Sequence, residues 1–253
     1  MSGRAVKSAT RVIEVMELFG VERRPMSATE IGGVLGYPKS SVSGLLHTLV
    51  KSGWLSQQVE TMLYHPTLRV ASLGEWLPST LVGGSSTDAI ALDLQNKTRE
   101  TVTLSIPNGV YMEFIRIHMG LAHPKILDVS SGTKIPMFGT ALGTAYLQTQ
   151  SDAGIRRHYK RAEQENALSG PSLCLQDYIL EIKETQARGY SVAYDRIGAN
   201  TGAISACLSE SRIGRSVVLA IGGLSSQISQ NERSYSKLIR QAVLLARRQV
   251  SAH

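Results

Sequence analysis

Residues 27–55 of this 253-residue chain read SATEIGGVLGYPKSSVSGLLHTLVKSGWL, and this stretch decides the fold of the N-terminal part. It opens with Ser27-Ala-Thr-Glu30, a capping-box pattern that predicts a helix start, because the serine oxygen and the glutamate carboxylate satisfy free backbone N–H groups there. Gly36 is expected to end this helix, and Gly53 to end a second one that begins beside Pro38. Two short helices joined by a glycine-containing turn are typical of a helix-turn-helix.

The segments on either side extend this motif. Upstream, helical spacing of apolar residues predicts a helix that Gly20 ends, with its apolar face formed by Val12, Val15, Met16 and Phe19. Downstream, residues 54–58 and 62–65 flank a three-residue connection and predict a β-hairpin. A hairpin directly after the second helix is the wing of a winged helix-turn-helix. Residues 67–77 predict a further, linking helix.

The second helix of the motif has two chemically distinct faces. Its apolar residues fall on one side, as expected for a helix packed on a small core: Val42, Leu45, Leu46 and Leu49. The other side carries small hydroxyl groups and a lysine, which allow a helix to enter the major groove and donate to phosphates or base edges. The predicted DNA contacts are Lys39, Ser40, Ser41, Ser43 and His47. The alternative is an ordinary solvated helix face.

A change in composition follows at Pro78–Thr87, which is rich in Gly, Ser and Thr and predicts a hinge. Beyond it, strand and helix patterns alternate, and Asn108-Gly109 is a strong hairpin signal. Together they indicate an α+β fold with a largely antiparallel sheet flanked by helices. Helices are expected near 86–98, 138–148, 151–165, 175–188 and 230–250, and strands near 100–106, 110–117, 125–129, 190–194, 201–208 and 215–222.

Composition narrows the class of protein without identifying it. Hydrophobic residues make up 42% and charged residues 19%, the balance of a soluble globular protein. The net charge is +7, but the first 85 residues carry only +2 of it, so charge alone does not indicate DNA binding. No apolar run predicts a membrane span or a secretory signal, and a cytoplasmic location is expected. Cys174 and Cys207 form no CxxC pair and are expected to be buried, reduced thiols.

No sequence pattern predicts an enzyme. The six histidines are scattered, and HExxH, GxSxG and Walker patterns do not occur. Gly222-Gly223 lacks the rest of a nucleotide fingerprint, and Cys207 has no evident partner base. We therefore expect no catalytic residue, no metal site and no cofactor. The competing hypothesis is a ligand-binding or enzymatic domain whose N-terminal module serves only for assembly.

The chain resembles the IclR family of bacterial transcription regulators from about residue 6 to 250. Residues 27–55 are similar to the family's helix-turn-helix, with its Leu-Gly-x-Pro-Lys-Ser-(Ser/Thr)-Val. Residues 135–147, IPMFGTALGTAYL, are similar to its Pro-(Leu/Met)-His-x-(Thr/Ser)-Ala-x-Gly-Lys-Ala segment. Residues 182–190 are similar to its Ile-Arg-x-x-Gly-Tyr region.

The resemblance implies a regulator whose operator binding is controlled by a small effector. Residues 1–66 would form the winged helix-turn-helix, 67–85 a linker helix and hinge, and 86–253 a GAF-like α/β effector-binding domain. The expected activity is that of a repressor responding to an organic acid or aromatic catabolite. The expected partners are double-stranded operator DNA, the effector and further copies of the chain in a homodimer or homotetramer, with no membrane.

The resemblance also indicates an effector pocket beside the central sheet. Mapped by motif, its candidates are Thr140, Ala141, Asp195, Thr201 and Ser205, which supply small side chains and hydroxyl groups. Arg116, on a predicted strand, is a candidate partner for a carboxylate, the alternative being a surface charge. Four positions depart from the family pattern: Gly44 stands in place of an arginine, Phe138 of a histidine, Thr144 of a lysine and Thr201 of a cysteine.

Overall fold

The computed structural model describes residues 6–74, 85–121, 129–169, 174–210 and 216–251. The chain divides into two compact units, with the boundary between Leu77 and Pro78. The boundary lies in the segment predicted as linker and hinge, most of which falls outside the described residues. Each unit is described by itself.

The N-terminal unit contains four helices and a two-stranded hairpin among its described residues. Ser27 and Glu30 form the predicted capping box, in which the Glu30 N–H donates to Ser27 Oγ at 3.2 Å and the Ser27 N–H donates to Glu30 Oε2 at 2.8 Å. Gly36 ends the helix in the left-handed conformation, as predicted. The elements are α1 (Lys7–Glu22), α2 (Ala28–Leu35), α3 (Lys39–Lys51), β1 (Leu55–Gln57), β2 (Tyr64–Pro66) and α4 (Leu68–Gly74).

The helix-turn-helix and the hairpin share one small core. The core is formed by the apolar faces of α1 to α3 and by β1, and consists of Val15, Leu18, Phe19, Met26, Ile31, Val42, Leu46, Leu49 and Leu55. The predicted stop at Gly20 is wrong. Helix α1 continues to Glu22, and Arg23 closes it in the left-handed conformation with its N–H bonded to the Phe19 carbonyl. A glycine inside a helix costs only about 1 kcal/mol, which neighbouring turns outweigh.

The start of the predicted linking helix is attached to the winged unit. Thr67 Oγ1 donates to the Gly53 carbonyl at 2.6 Å, and Arg69 Nη1 donates to the Ser52 carbonyl at 2.8 Å. The Arg69 guanidinium also lies over the Trp54 ring, 5.0 Å from its centroid. Helix α4 therefore begins as part of the same packed unit as the wing. The remainder of the predicted linking helix, residues 75–77, lies outside the described residues.

The C-terminal unit is a sheet of six strands in the order β5-β4-β3-β8-β7-β6, with every neighbouring pair antiparallel. Helices α6 to α8 cover one face, and α5 and α9 cover the other, each with its own apolar core. The elements are α5 (Ser85–Thr98), β3 (Thr101–Asn108), β4 (Tyr111–His118), β5 (Lys134–Pro136), α6 (Ala141–Leu147), α7 (Asp152–Gln164), α8 (Leu175–Arg188), β6 (Ser191–Tyr194), β7 (Thr201–Glu210), β8 (Ser216–Leu224) and α9 (Ser225–Ser251).

Most predicted elements of this unit are confirmed, with two differences. The edge strand β5 was not predicted, because its three residues are too few to show a period. Of the strand expected at 125–129, residues 125–128 lie outside the described part and Val129 is not in a strand. The prediction of a buried thiol is confirmed for Cys207, which lies in the sheet, and is wrong for Cys174, which is exposed just before α8.

A β-bulge in β4 changes which side chains share a face. Leu104 pairs with Arg116, but the next residue, Ser105, pairs with Phe114, so Ile115 is an extra residue in β4. Since strand side chains alternate between faces, one inserted residue reverses the alternation beyond it. Phe114 therefore faces α6 to α8, while Arg116 faces α5 on the other side of the sheet.

Candidate functional site

The predicted DNA-contacting face of α3 is exposed. Lys39, Ser40, Ser43 and His47 are all exposed, and Ser41 is half-buried at the edge of this face. The opposite face packs into the core through Val42, Leu46 and Leu49. The structure thus brings four of the five predicted residues together on one side of the second helix of a winged helix-turn-helix, where such proteins contact the major groove, whereas Ser41 lies further around the helix. Their contacts with DNA remain a prediction.

Two further features affect how closely this helix can approach a partner. A Cβ placed on Gly44 would have no atom within 4 Å, so this position leaves a gap on the exposed face. The turn before α3 is held to α1, because Tyr37 donates a hydrogen bond from its hydroxyl to Glu14 and Arg11 lies over the Tyr37 ring at 4.7 Å. The turn before α3 is therefore held in place by α1.

The C-terminal unit contains a cavity on the sheet face covered by α6 to α8. Its empty space is about 710 Å³, which includes open solvent at its mouth. The floor of the cavity is formed by residues with small or no side chains, because Ala203 pairs with Gly222 and Ala220 lies beside them on β8. Its apolar walls include Phe114, Met119, Val129, Leu142 and Ile197. Small residues at facing register positions thus leave room for a ligand.

Three of the six predicted effector residues line this cavity: Thr140, Ala141 and Thr201. The two hydroxyl groups, however, are already bonded within the chain. Thr140 Oγ1 accepts from the Gly143 N–H at 3.2 Å and donates to the Pro136 carbonyl at 2.9 Å, which caps α6. Thr201 Oγ1 donates to the Gly198 carbonyl at 2.6 Å and accepts from its N–H at 3.2 Å. These threonines shape the cavity and fix its loops.

The other three predicted residues are not among the cavity-lining residues. The bulge in β4 turns Arg116 to the sheet face opposite the cavity, where its Nε lies 3.3 Å from Asp88 Oδ1. Asp195 takes a positive φ of 56°, and its Oδ1 accepts from Ser225 Oγ at 2.7 Å. Ser205 is fully buried beneath α6, with no hydrogen-bond partner for its hydroxyl among the described residues. Their placement as cavity-lining residues is therefore corrected.

Sequence reasoning missed Arg196, which is the charged side chain among the residues lining the cavity. Its Nη2 lies 2.9 Å from Glu181 Oε1 of α8, and its backbone carbonyl accepts from Ser169 Oγ at 2.9 Å. Its Nη1 is buried and has no hydrogen-bond partner among the described residues. The available signal was an arginine directly beside the predicted Asp195, in the short segment between two glycines.

An aromatic cluster supports the segment that leads into α6. The Phe138 ring meets the Tyr159 and Tyr178 rings edge-on, with centroids 5.4 Å and 5.2 Å away. Burial raises the pKa of the Tyr178 hydroxyl, which donates to the Ser169 carbonyl at 3.3 Å. Phe138 is itself only 1% exposed. At this position, where the family pattern has a histidine, the side chain packs in the core behind the cavity.

No helix in the described part of the chain is both long and apolar enough to cross a membrane. The described residues also contain no cluster of three or more His, Cys, Asp or Glu side chains suited to holding a metal ion.

A winged helix-turn-helix followed by a unit with an apolar cavity beside its sheet is the architecture of a one-component transcription regulator. The chain belongs to the IclR family of such regulators. Residues 8–59 match the IclR helix-turn-helix domain, and residues 85–252 match the C-terminal domain of the bacterial transcriptional regulator IclR.

Two relatives and a solved structure show how far the similarity extends along the chain. The HTH-type transcriptional regulator XynR of Escherichia coli is 22% identical over 234 residues, covering 90% of both chains. The Pca regulon regulatory protein of Pseudomonas putida is 22% identical over 185 residues, covering 73% of this chain and 63% of its own. The Thermotoga maritima IclR structure superposes with a TM-score of 0.73 at 16% identity, covering 96% of this chain and 98% of that one.

One solved structure of the same fold contains a ligand. It is an IclR homologue from Microbacterium hydrocarbonoxydans in complex with 4-hydroxybenzoate, and it matches with a TM-score of 0.70 and 16% identity over 97% of this chain and 100% of its own. The predictions of family, of an α+β fold with a helix-turn-helix, and of an IclR-type regulator are confirmed.

Proposed function

We propose that this protein is an effector-controlled repressor that reads its operator with α3 and binds a small organic acid in the cavity of residues 85–251. The observation that carries the proposal is that the chain has an exposed hydroxyl-rich helix in one unit and a mostly apolar cavity lined by Arg196 in the other. The protein acts in the cytoplasm, where the DNA is, and has no catalytic role. The described residues contain no cluster of metal-ligating side chains that would support the competing enzyme hypothesis.

Lys39 and Ser43 have different roles on the DNA. Lys39 lies at the start of α3, where a flexible ammonium group reaches phosphates and contributes affinity without sequence information. Ser43 lies one turn further along the exposed face, where a small hydroxyl group can reach a base edge. His47 lies a turn beyond it, on the same exposed face. The helix therefore combines a positioning contact with reading contacts.

Two copies of the winged unit are needed for tight specific binding, since one module reads only a short half-site. We therefore propose at least a homodimer on a two-part operator. The effector shifts the protein between two arrangements that bind the operator with different affinity. A tenfold change in operator affinity requires only about 1.4 kcal/mol of coupling between the two sites.

The relatives support an organic acid as the effector. A homologue of the same fold binds 4-hydroxybenzoate, and one curated relative controls the Pca regulon. The cavity of the present chain has apolar walls and one charged lining residue, Arg196, which suits an acid with an apolar body.

Lys39→Ala tests the assignment of the reading helix. We expect weaker operator binding on every sequence and a salt-dependence slope reduced by about one, because one phosphate contact is lost. The measurement is fluorescence anisotropy at several salt concentrations, with a DNA duplex taken from the region upstream of the protein's own gene. Lys160→Ala is the matched control, since it removes the same charge from an exposed position on α7.

Ser43→Ala, in contrast, is expected to change the preference between operator variants while leaving the salt slope unchanged. If Lys39→Ala and Lys160→Ala have the same effect, and Ser43→Ala alters no base preference, then α3 is not the reading helix. Addition of 4-hydroxybenzoate or a related acid should release wild-type protein from the same duplex.

A further inference from the structure

We propose that Arg196 is the residue that selects the effector, by binding the carboxylate of an acid with an apolar body, and that Glu181 tunes its strength as a counter-ion. This inference rests on the proposed function of the cavity as the effector site. It assigns the ligand class as a monocarboxylate, and it assigns specificity to a residue that motif comparison does not indicate.

The guanidinium of Arg196 has one occupied end and one free end. Nη2 is bound to Glu181 at 2.9 Å, whereas Nη1 is buried and has no hydrogen-bond partner among the described residues. A buried donor without a partner is costly, and the cost is higher for a charged group. Arginine cannot lose its proton to relieve this cost. A carboxylate oxygen in the cavity would satisfy Nη1 with a charge-assisted hydrogen bond.

The backbone around Arg196 holds the side chain in this position. Asp195, with its positive φ, is tied to Ser225 at the start of α9, and the next residue, Arg196, lines the cavity. The Arg196 carbonyl is bound by Ser169 Oγ, and Thr201 Oγ1 bonds both backbone groups of Gly198. The backbone is thus anchored on both sides of Arg196, and Glu181 holds one end of its guanidinium, which lowers the entropy cost of binding a ligand.

The rest of the lining defines the body of the ligand. Among the described lining residues Arg196 is the charged one, and the walls are formed by Phe114, Met119, Leu142 and Ile197. The lining threonines Thr140 and Thr201 have their hydroxyl groups bonded to backbone groups. A second carboxylate on the ligand would therefore be buried without a counter-charge, which is strongly unfavourable. The cavity selects monocarboxylates over dicarboxylates.

The test compares acids with their neutral amides by titration calorimetry on the full chain. The probes are benzoate, 4-hydroxybenzoate and isovalerate, their three amides, and the dicarboxylate phthalate. At least one monocarboxylate should bind wild-type protein about 10-fold or more tightly than its amide, the size of a lost charge-assisted hydrogen bond. Phthalate should bind no better than the amides.

Three variants separate ligand contact from a structural role. In Arg196→Gln the preference for the acid over the amide should disappear, and in Arg196→Lys it should be partly retained. Glu181→Gln should strengthen acid binding by roughly two- to fivefold, because a partly exposed negative charge beside the guanidinium is removed. If Arg196 only held α8 in place, both Arg196→Gln and Glu181→Gln would weaken binding. Thermal melts confirm that each variant is folded.

The outcomes distinguish this inference from the proposed function. If no monocarboxylate binds, or if the acid preference survives Arg196→Gln, the assignment of Arg196 is overturned. Operator binding of the same variants is measured in parallel. Wild-type protein that binds its operator but responds to a neutral effector contradicts only the role of Arg196. Loss of specific operator binding in wild-type protein contradicts the proposed function itself.

Discussion

Replacing Gly143 in α6 with alanine should destabilise the C-terminal unit severely, although alanine favours helices. A Cβ at this position would lie 1.6 Å from the carbonyl oxygen of Met137 and 2.4 Å from its carbonyl carbon. Both atoms belong to the backbone, so no side-chain rotation relieves the overlap. The Met137 N–H is itself bonded to the Val110 carbonyl at 2.9 Å, which ties the opposing segment to the sheet.

The size of the effect follows from three contributions. Overpacking of this kind costs about 1–3 kcal/mol or more, and the overlap with backbone places it at the upper end. Displacement of α6 also weakens the cap from Thr140, a loss of about 1 kcal/mol, which the gain in helix propensity of about 1 kcal/mol offsets. We expect a net loss of about 3 kcal/mol, or a melting temperature lower by about 6–12 °C for a unit of this size.

Gly44→Ala is the matched control, because it makes the same substitution inside a helix with open space around the new methyl group. It should stabilise the winged unit by about 1 kcal/mol. The two units can be followed separately by thermal unfolding. Both tryptophans, Trp54 and Trp76, precede the unit boundary, so tryptophan fluorescence reports the winged unit and tyrosine absorbance mainly the other. A Gly143→Ala protein that melts at or above the wild-type temperature would refute the close contact with Met137.

Two further predictions concern single polar groups. The backbone N–H of Ser27, then its hydroxyl, and then Arg24 lower the pKa of Glu30 to about 2, from an ordinary value of 4.5. The contribution of the Glu30 carboxylate to stability is therefore full above pH 4.5 and is lost as the pH falls toward 2. The melting temperatures of wild type and Glu30→Gln, measured by tryptophan fluorescence, should differ most at neutral pH and converge between pH 4.5 and 2. Ser205→Ala removes a buried hydroxyl without a partner among the described residues and should raise the free energy of unfolding by about 1 kcal/mol in urea. Thr140→Val removes a helix cap and should lower that free energy by a similar amount. A clear loss of stability in Ser205→Ala would indicate that the hydroxyl is hydrogen-bonded.

The winged unit could be predicted from the sequence because its signals are local. The capping box of Ser27 and Glu30, the left-handed Gly36 and the apolar spacing along α3 each act within one or two turns of chain. The residues on the exposed face of α3 follow directly from helical period. Where the prediction failed, at the end of α1, a single glycine was too weak to stop a helix whose neighbours pack well.

The cavity could be located from sequence only in part. Small residues in 139–145 and 201–205 indicated the right region, and Thr140, Ala141 and Thr201 line it. Its floor also needs Ala220 and Gly222 of β8, which come beside β7 only through sheet pairing. No pattern along the chain shows which small residues will face one another across strands.

The position of charge in the cavity was decided by tertiary structure alone. One extra residue in β4 moved Arg116 to the opposite face of the sheet, since side chains alternate with a period of two. The turn at Asp195, held by Ser225, left its neighbour Arg196 to line the cavity. The sequence by itself determined the family, the two-unit order and which residues of α3 are exposed, because those depend on local period and capping. Which arginine lines the cavity depends on a bulge and a turn, whose consequences appear only when distant segments pack.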